Sequence, residues 1–166
     1  MLVWYVATAA AGVWAVFDSP ALDYRFVMLG AVLPVTEVAL GRPGPLHSLV
    51  TAVAVLALVM LVTQGRRIVR RRLLGIPIGL MAYLVFSGTW TDTDAFWWPL
   101  TGLGLSDADP PELARGGVTV VLELAGVALL VWWVRRVGLD EAAAREEFRR
   151  TGRLPRATMP PVQGQC

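Results

Sequence analysis

Five apolar stretches, each separated from the next by a polar or charged segment, constrain the fold of this chain more than any other feature. They cover residues 2–17, 26–40, 46–64, 73–90 and 117–134. A soluble helix buries one apolar face, whereas a helix that crosses a lipid bilayer is apolar all round over about 20 residues. The pattern therefore predicts an all-α fold, an integral membrane helical bundle with about five transmembrane helices.

Composition supports this fold and limits the chain to one domain. Of the 166 residues, 55% are hydrophobic and 17% are charged, and the mean hydropathy is +0.56. Soluble domains usually carry about 25% charged residues. We expect a transmembrane bundle over residues 1–138, a cytoplasmic helix over 139–150 with Asp140 as its N-cap, and a disordered tail over 151–166.

The second apolar stretch is the least regular of the five. It has 15 residues and contains Pro34 and Glu37, whereas a helix needs about 20 residues to span the bilayer. Two interpretations stay open at this point. The stretch is either a tilted span that begins earlier, near Ala21, or a re-entrant segment.

Arginine supplies all 15 basic residues and indicates how the bundle is oriented. Five arginines lie in the segment 65–72 and seven follow the fifth stretch, whereas the segments 41–46 and 91–116 hold one each. Basic residues stay on the cytoplasmic side of a membrane. The sequence thus predicts five crossings, with the N-terminus outside and with a loop over 65–72 and the C-terminus in the cytoplasm. The absence of lysine and asparagine is typical of a GC-rich bacterial genome, so we expect the bacterial cytoplasmic (inner) membrane.

The arginines also indicate what the chain binds. The net charge is only +2, and the arginines adjoin apolar stretches, so anionic lipid headgroups are the expected partners and nucleic acid is not. A protein partner within the membrane is the other expected ligand. The arginines expected at the headgroups are Arg66, Arg67, Arg70, Arg71, Arg72, Arg135 and Arg136.

Three ionisable residues lie in or beside the apolar stretches and are the first candidates for a functional site. Glu37, His47 and Glu123 are each expected near the outer end of a helix, and charged groups in a bilayer usually face the bundle interior. Tyr83 and Ser87 fall at a similar depth, so we predict one shallow polar pocket toward the outer leaflet. Two simpler interpretations stay open: His47 caps the third helix at the headgroups, and Glu37 stays solvated in the interface.

Four short segments carry a resemblance to a known family: LPVTE at 33–37, GPLHSL at 44–49, AYLVFSGTW at 82–90 and FWWP at 96–99. They are similar to the YdjM-type family of inner-membrane, metal-dependent hydrolases. That family's pattern has an acidic pair after Leu-Pro, a His-Ser at the head of an apolar helix, a His…Asp pair in the next helix, and a Trp-Pro that follows. The resemblance implies that Glu37 and His47 are metal ligands.

The chain departs from this pattern at three positions. Val35 stands at the first acidic position, Tyr83 at the second histidine and Ser87 at the aspartate. A catalytic zinc site normally has three protein ligands, so a metal here requires a further ligand from Glu123, Asp92 or Asp94. The resemblance therefore implies a degenerate member of the family.

Three functional hypotheses follow. The chain is a non-catalytic relative of these hydrolases that binds lipid or a partner protein. Alternatively, it is a metal-dependent hydrolase that uses a divalent cation such as zinc on a lipid or envelope substrate at the outer leaflet. A small transporter or channel subunit in which Glu37 and Glu123 relay protons is the third. Cysteine–histidine catalysis is excluded, because the single cysteine, Cys166, is terminal.

Overall fold

The structure, a computed structural model, describes residues 1–17, 19, 22–39, 44–102 and 116–155. Within these ranges all regular structure is helical, which confirms the all-α prediction. The α-helices are α1 (Leu2–Phe17), α2 (Tyr24–Ala39), α3 (Leu49–Val62), α4 (Arg67–Leu73), α5 (Gly75–Ser87), α6 (Thr93–Phe96), α7 (Val118–Arg136) and α8 (Ala142–Thr151). Two 3-10 turns, Pro45–His47 and Thr89–Thr91, precede α3 and α6.

The five longest apolar helices, α1, α2, α3, α5 and α7, overlap the five predicted stretches, and α2 begins two residues before its stretch. By length and composition, α7 is the one described helix that is long and apolar enough to cross a membrane. It has 19 residues, and only Gly126 and Trp133 of these are buried. Helices α1 and α3 are apolar but shorter, at 16 and 14 residues.

Helices α1, α2 and α5 form the centre of the bundle. Helix α7 packs on the outer side of α1, and α3 packs on α5. Core side chains such as Tyr5, Val27, Ala31 and Leu80 fill the space between the central helices. Helices α3 and α7 therefore each leave most of their apolar surface uncovered.

Small residues set the contact between α2 and α5. A Cβ atom placed on Gly79 would overlap the carbonyl oxygen of Val27, and one on Gly30 would overlap the carbonyl oxygen of Ile76. Gly75 and Gly79 are four residues apart and therefore lie on one face of α5. This spacing of small residues lets two helix backbones approach closely, as in membrane helix pairs. Van der Waals contact along these backbones holds the pair together.

The long helices alternate in direction, so the bundle has two distinct ends. Glu37 at the end of α2, His47 before α3 and Tyr83 late in α5 lie at one end, called here the site end. The other, called here the arginine end, carries α4 and the end of α7. At this end Trp14 of α1 packs edge-on against Trp132 of α7, with ring centroids 6.3 Å apart.

The segment 65–72, predicted as a loop, is largely helical. Arg67–Leu73 forms α4, and the chain turns at Leu74 directly into α5. The loop prediction was based on charge alone. Arginine is a good helix former, so a segment rich in arginine can be charged and still be helical.

The C-terminal helix differs from its predicted bounds and docks on the bundle. It begins at Ala142, with Glu141 as N-cap in place of Asp140, and ends where Gly152 adopts φ +70°. The backbone N–H of Tyr24 donates to the carbonyl of Gly152 at 2.9 Å. Leu154 is buried against the core, so the described part of the predicted tail is packed. Residues 156–166 of that tail lie outside the described residues.

Candidate functional site

Glu37, His47 and Tyr83 form a continuous chain of side-chain hydrogen bonds at the site end. Glu37 lies in the last turn of α2, His47 ends the 3-10 turn Pro45–His47, and Tyr83 lies one turn before the end of α5. Three separate elements thus converge on one histidine. The sequence positions are 10 and 36 residues apart from His47, so tertiary packing brings them together.

Glu37 receives hydrogen bonds from the turn that carries His47. The backbone N–H of Leu46 donates to its carboxylate at 3.0 and 3.2 Å, and Nδ1 of His47 lies 3.1 Å from Oε2. Gly44 makes room for this contact, because a Cβ there would lie 2.5 Å from Oε1 of Glu37. The carboxylate therefore fastens the start of α3 to the end of α2.

The other ring nitrogen of His47 is also engaged. Nε2 lies 2.9 Å from the hydroxyl oxygen of Tyr83. A carboxylate only accepts hydrogen bonds, so Nδ1 is the donor to Glu37, and in a neutral imidazole Nε2 is then the acceptor. With a neutral imidazole, the Tyr83 hydroxyl donates to Nε2 of His47. The hydrogen bonds of that form run in one direction, from phenol to imidazole to carboxylate.

This chain is almost completely enclosed. His47 and Tyr83 are 0% exposed, and the Glu37 side chain is 16% exposed. Tyr5 of α1 covers Tyr83, with ring centroids 4.7 Å apart. A substrate has no direct access to the phenol or the imidazole, and both imidazole nitrogens already have partners. The arrangement is suited to holding three helices together.

Ser48, next to His47, connects this end to the aromatic segment after α5. Its hydroxyl oxygen accepts from the N–H of Val50 at 3.1 Å and caps α3. The same hydroxyl donates to the carbonyl oxygens of Phe96 and Trp98. Sequence reasoning missed this role, although a serine directly before an apolar helix is a usual N-cap signal.

The other members of the predicted pocket lie apart from the Glu37–His47–Tyr83 chain. Ser87 is buried and pairs with the hydroxyl of Thr89 at 2.6 Å. Glu123 accepts from the backbone N–H groups of Val3 and Trp4 at 3.2 and 3.3 Å. Ser87 therefore has a partner in the turn after α5, and Glu123 has partners at the start of α1.

Glu123 acts as an N-cap supplied by another helix. The first N–H groups of α1 have no partner within that helix and carry the positive end of its dipole. The carboxylate binds two of them and lies 3.7 Å from the amino group of Met1. These contacts provide the partner that a carboxylate within an apolar helix requires.

The remaining candidate metal ligands do not assemble around His47. The Asp92 carboxylate caps α6 by accepting from the N–H groups of Asp94 and Ala95. Among the residues that the structure describes, no group of three histidine, cysteine or acidic side chains is placed to hold a metal ion. The donor set therefore does not fit the metal that the family resemblance implies.

The predicted headgroup arginines gather at the arginine end. All are exposed except Arg70, which is half-buried. The guanidinium of Arg136 lies over the ring of Trp14, 5.7 Å from its centroid. An indole beside an arginine is typical of the membrane–water interface.

Comparisons with known proteins add no relative. No protein-family profile, no characterised protein and no solved structure matches the chain significantly.

Proposed function

We propose that this chain is a non-catalytic, multi-pass protein of the bacterial cytoplasmic membrane. Five helices (α1, α2, α3, α5 and α7) cross the bilayer, with the N-terminus outside and the C-terminus in the cytoplasm. The arginines bind anionic phospholipid headgroups at the inner surface. The observation that carries this proposal is the combination of uncovered apolar helix flanks with arginines collected at one end of the bundle.

The uncovered flanks are too apolar to face water. Val120, Val121 and Leu124 of α7 are 62–66% exposed, and Leu58, Leu61 and Val62 of α3 are 59–69% exposed. Exposed apolar patches of this extent mark contact with a membrane or another protein. Because they occur on both sides of the bundle, a surrounding lipid phase accounts for them more simply than a single protein interface.

Helix length fits this proposal when the adjoining segments are included. At 1.5 Å per residue, α1 is about 24 Å long and α7 about 28 Å, against a hydrocarbon core of about 30 Å. Helix α3 continues at its start into the 3-10 turn of Pro45–His47, and α5 is continuous with α4 except at Leu74. A bilayer thins locally around short spans at modest cost.

Charge supports the orientation. Helix α4, the end of α7 and α8 carry basic residues in their last turns. The site end, in contrast, carries Glu37, Asp92, Asp94 and Glu123. Placing the arginine end in the cytoplasm satisfies the positive-inside rule.

The hydrogen bonds of His47 favour a non-catalytic role over the metal-dependent hydrolase. A metal ligand must offer a free lone pair on one ring nitrogen, whereas here Nδ1 faces Glu37 and Nε2 faces Tyr83. Tyr83 stands where the resembled pattern has its second histidine. The hydrogen bond between Tyr83 and His47 fits descent from a metal site of that family, in which a phenol has replaced the metal as the partner of Nε2.

Membrane insertion is tested on a chain in which Cys166 is replaced by serine. Single cysteines are introduced at Thr101, beyond the site end, and at Ala143 in α8, and both positions are exposed. In intact spheroplasts an impermeant maleimide should label Thr101→Cys but label Ala143→Cys only after lysis. Extraction of the protein by alkaline carbonate, or equal labelling of both positions before lysis, contradicts the proposal.

A further inference from the structure

An apolar groove runs along the surface between α1 and α5. Val13, Val16 and Phe17 line it on one side, and Met81, Ala82 and Val85 line it on the other. Its volume is about 320 Å³. Gly12 lies at its floor beside the ring of Phe86, where even a Cβ would be 3.3 Å from ring carbons.

A second depression continues this groove to the arginine end. Phe17 and Ile78 line both, and the second is completed by Ser19, Leu22, Arg71 and Leu74. Its volume is about 280 Å³. The combined surface is apolar along its length and ends at one cation, the guanidinium of Arg71.

Arg71 is available for an anion. It lies on α4 and is exposed, and the described residues give it no carboxylate within ion-pair distance. Among the residues that the structure describes, none that lines either depression is acidic. A guanidinium binds phosphate oxygens through two parallel N–H groups, which makes arginine the residue suited to a phosphodiester.

The composite groove is long enough for one lipid chain in one leaflet. From Leu74 to Phe86 the two depressions follow α5 over twelve residues, or about 18 Å at 1.5 Å per residue. One leaflet contributes about half of the roughly 30 Å hydrocarbon core. An acyl chain that starts beside Arg71 and crosses one leaflet would therefore lie within the groove.

We propose that this composite groove binds one anionic phospholipid of the cytoplasmic leaflet. Its phosphate contacts Arg71 and one acyl chain lies between α1 and α5. This site deepens the proposed function and rests on it, because the groove meets lipid only if the bundle is embedded. This site holds one lipid per chain, whereas the other arginines attract headgroups without a defined binding position.

The test is native mass spectrometry of the full chain in a neutral detergent. Phosphatidylglycerol and phosphatidylcholine with identical acyl chains are added in equal amounts. The expected result is a single retained phosphatidylglycerol, bound more tightly than phosphatidylcholine, since the quaternary ammonium of choline offsets the negative charge of the phosphate that faces Arg71. Free glycerol phosphate should not displace it, because it lacks the acyl chain.

Matched variants locate the site. Arg71→Gln should lower phosphatidylglycerol binding about tenfold, whereas Arg145→Gln, an exposed arginine of α8 outside the groove, should retain it. Ala82→Phe fills the groove and should weaken both lipids, while Val120→Phe, on the exposed face of α7, should not. Equal losses from Arg71→Gln and Arg145→Gln would overturn the site in favour of diffuse charge. A lipid-free dimer that Ala82→Phe dissociates would overturn it in favour of a second copy in the groove.

Failure of this site and failure of the proposed function have different signatures. A protein that resists carbonate extraction and shows the expected labelling, but binds both lipids equally, retains the proposed function and lacks the site. A protein that carbonate releases from the membrane lacks both.

Discussion

Nε2 of His47 lies 2.9 Å from the hydroxyl of Tyr83, while Nδ1 of the same ring lies 3.1 Å from Glu37. These two contacts use both nitrogens of the only histidine in the chain. They join the end of α2, the start of α3 and the last turns of α5. A residue pattern that resembles a metal site is thus present in a form that stabilises helix packing.

Tyr83→Phe should destabilise the bundle. The substitution keeps the ring but leaves Nε2 of His47 buried without a donor, at a cost of about 1–3 kcal/mol. Thermal unfolding in mild detergent measures the loss. Thr36→Val, which removes an exposed hydroxyl from α2, is the control and should change stability by less than about 0.5 kcal/mol. Equal stability of Tyr83→Phe and the parent would mean that water replaces the phenol.

Glu37→Gln combined with Tyr83→Phe should be less damaging than the sum of the two single changes. Both partners act on the same imidazole, and residues in one hydrogen-bond network couple by about 0.5–3 kcal/mol. A double-mutant cycle of unfolding free energies gives the coupling. Strict additivity would show that the three side chains do not act as one unit.

The purified protein should contain no stoichiometric zinc or manganese. The described residues provide no cluster of three ligands, and His47 has no free nitrogen. Elemental analysis after purification without chelators measures the content, and His47→Ala should leave it unchanged. About one metal per chain, lost in His47→Ala, would restore the hydrolase hypothesis.

Gly79→Ala should separate α2 from α5. The added methyl group overlaps the Val27 carbonyl oxygen, and backbone atoms cannot move aside as a flexible side chain can. Overpacking of this kind costs about 1–3 kcal/mol. Gly117→Ala, where a Cβ has nothing within 4 Å, is the matched control. The two variants should differ clearly in melting temperature, and identical melting curves would contradict the close approach of these helices.

Truncation after Gly138 should destabilise the bundle relative to truncation after Pro155. The shorter chain loses α8 and the buried side chains of Leu139 and Leu154. It also loses the hydrogen bond that the Arg25 guanidinium donates to the carbonyl oxygen of Arg149 at 2.5 Å. Burial of a leucine side chain contributes about 1.5–3 kcal/mol. Unfolding in mild detergent compares the two chains. If both truncated chains unfold at the same temperature as the full chain, the docked helix adds nothing to stability.

The apolar stretches by themselves determined the number and placement of the long helices. In lipid, an apolar run as long as α1 or α7 is stable as a helix, because a helix satisfies its own backbone hydrogen bonds. The predicted stretch 2–17 coincides with α1, and the predicted stretch 117–134 lies within two residues of α7 at each end. The arginine clusters likewise indicated which helix ends lie together.

Tertiary structure alone decided which polar groups meet. Depth along an axis follows from counting residues, and it placed Glu37, His47, Tyr83, Ser87 and Glu123 at one end. Rotation about the axis does not follow from depth when a helix is apolar on every face. It depends on close backbone contacts such as Gly79 against Val27 and Gly126 against Trp4. These contacts turn Tyr83 toward His47 and turn Glu123 toward the start of α1, while Ser87 pairs with Thr89, so the predicted pocket residues belong to three sets of hydrogen bonds.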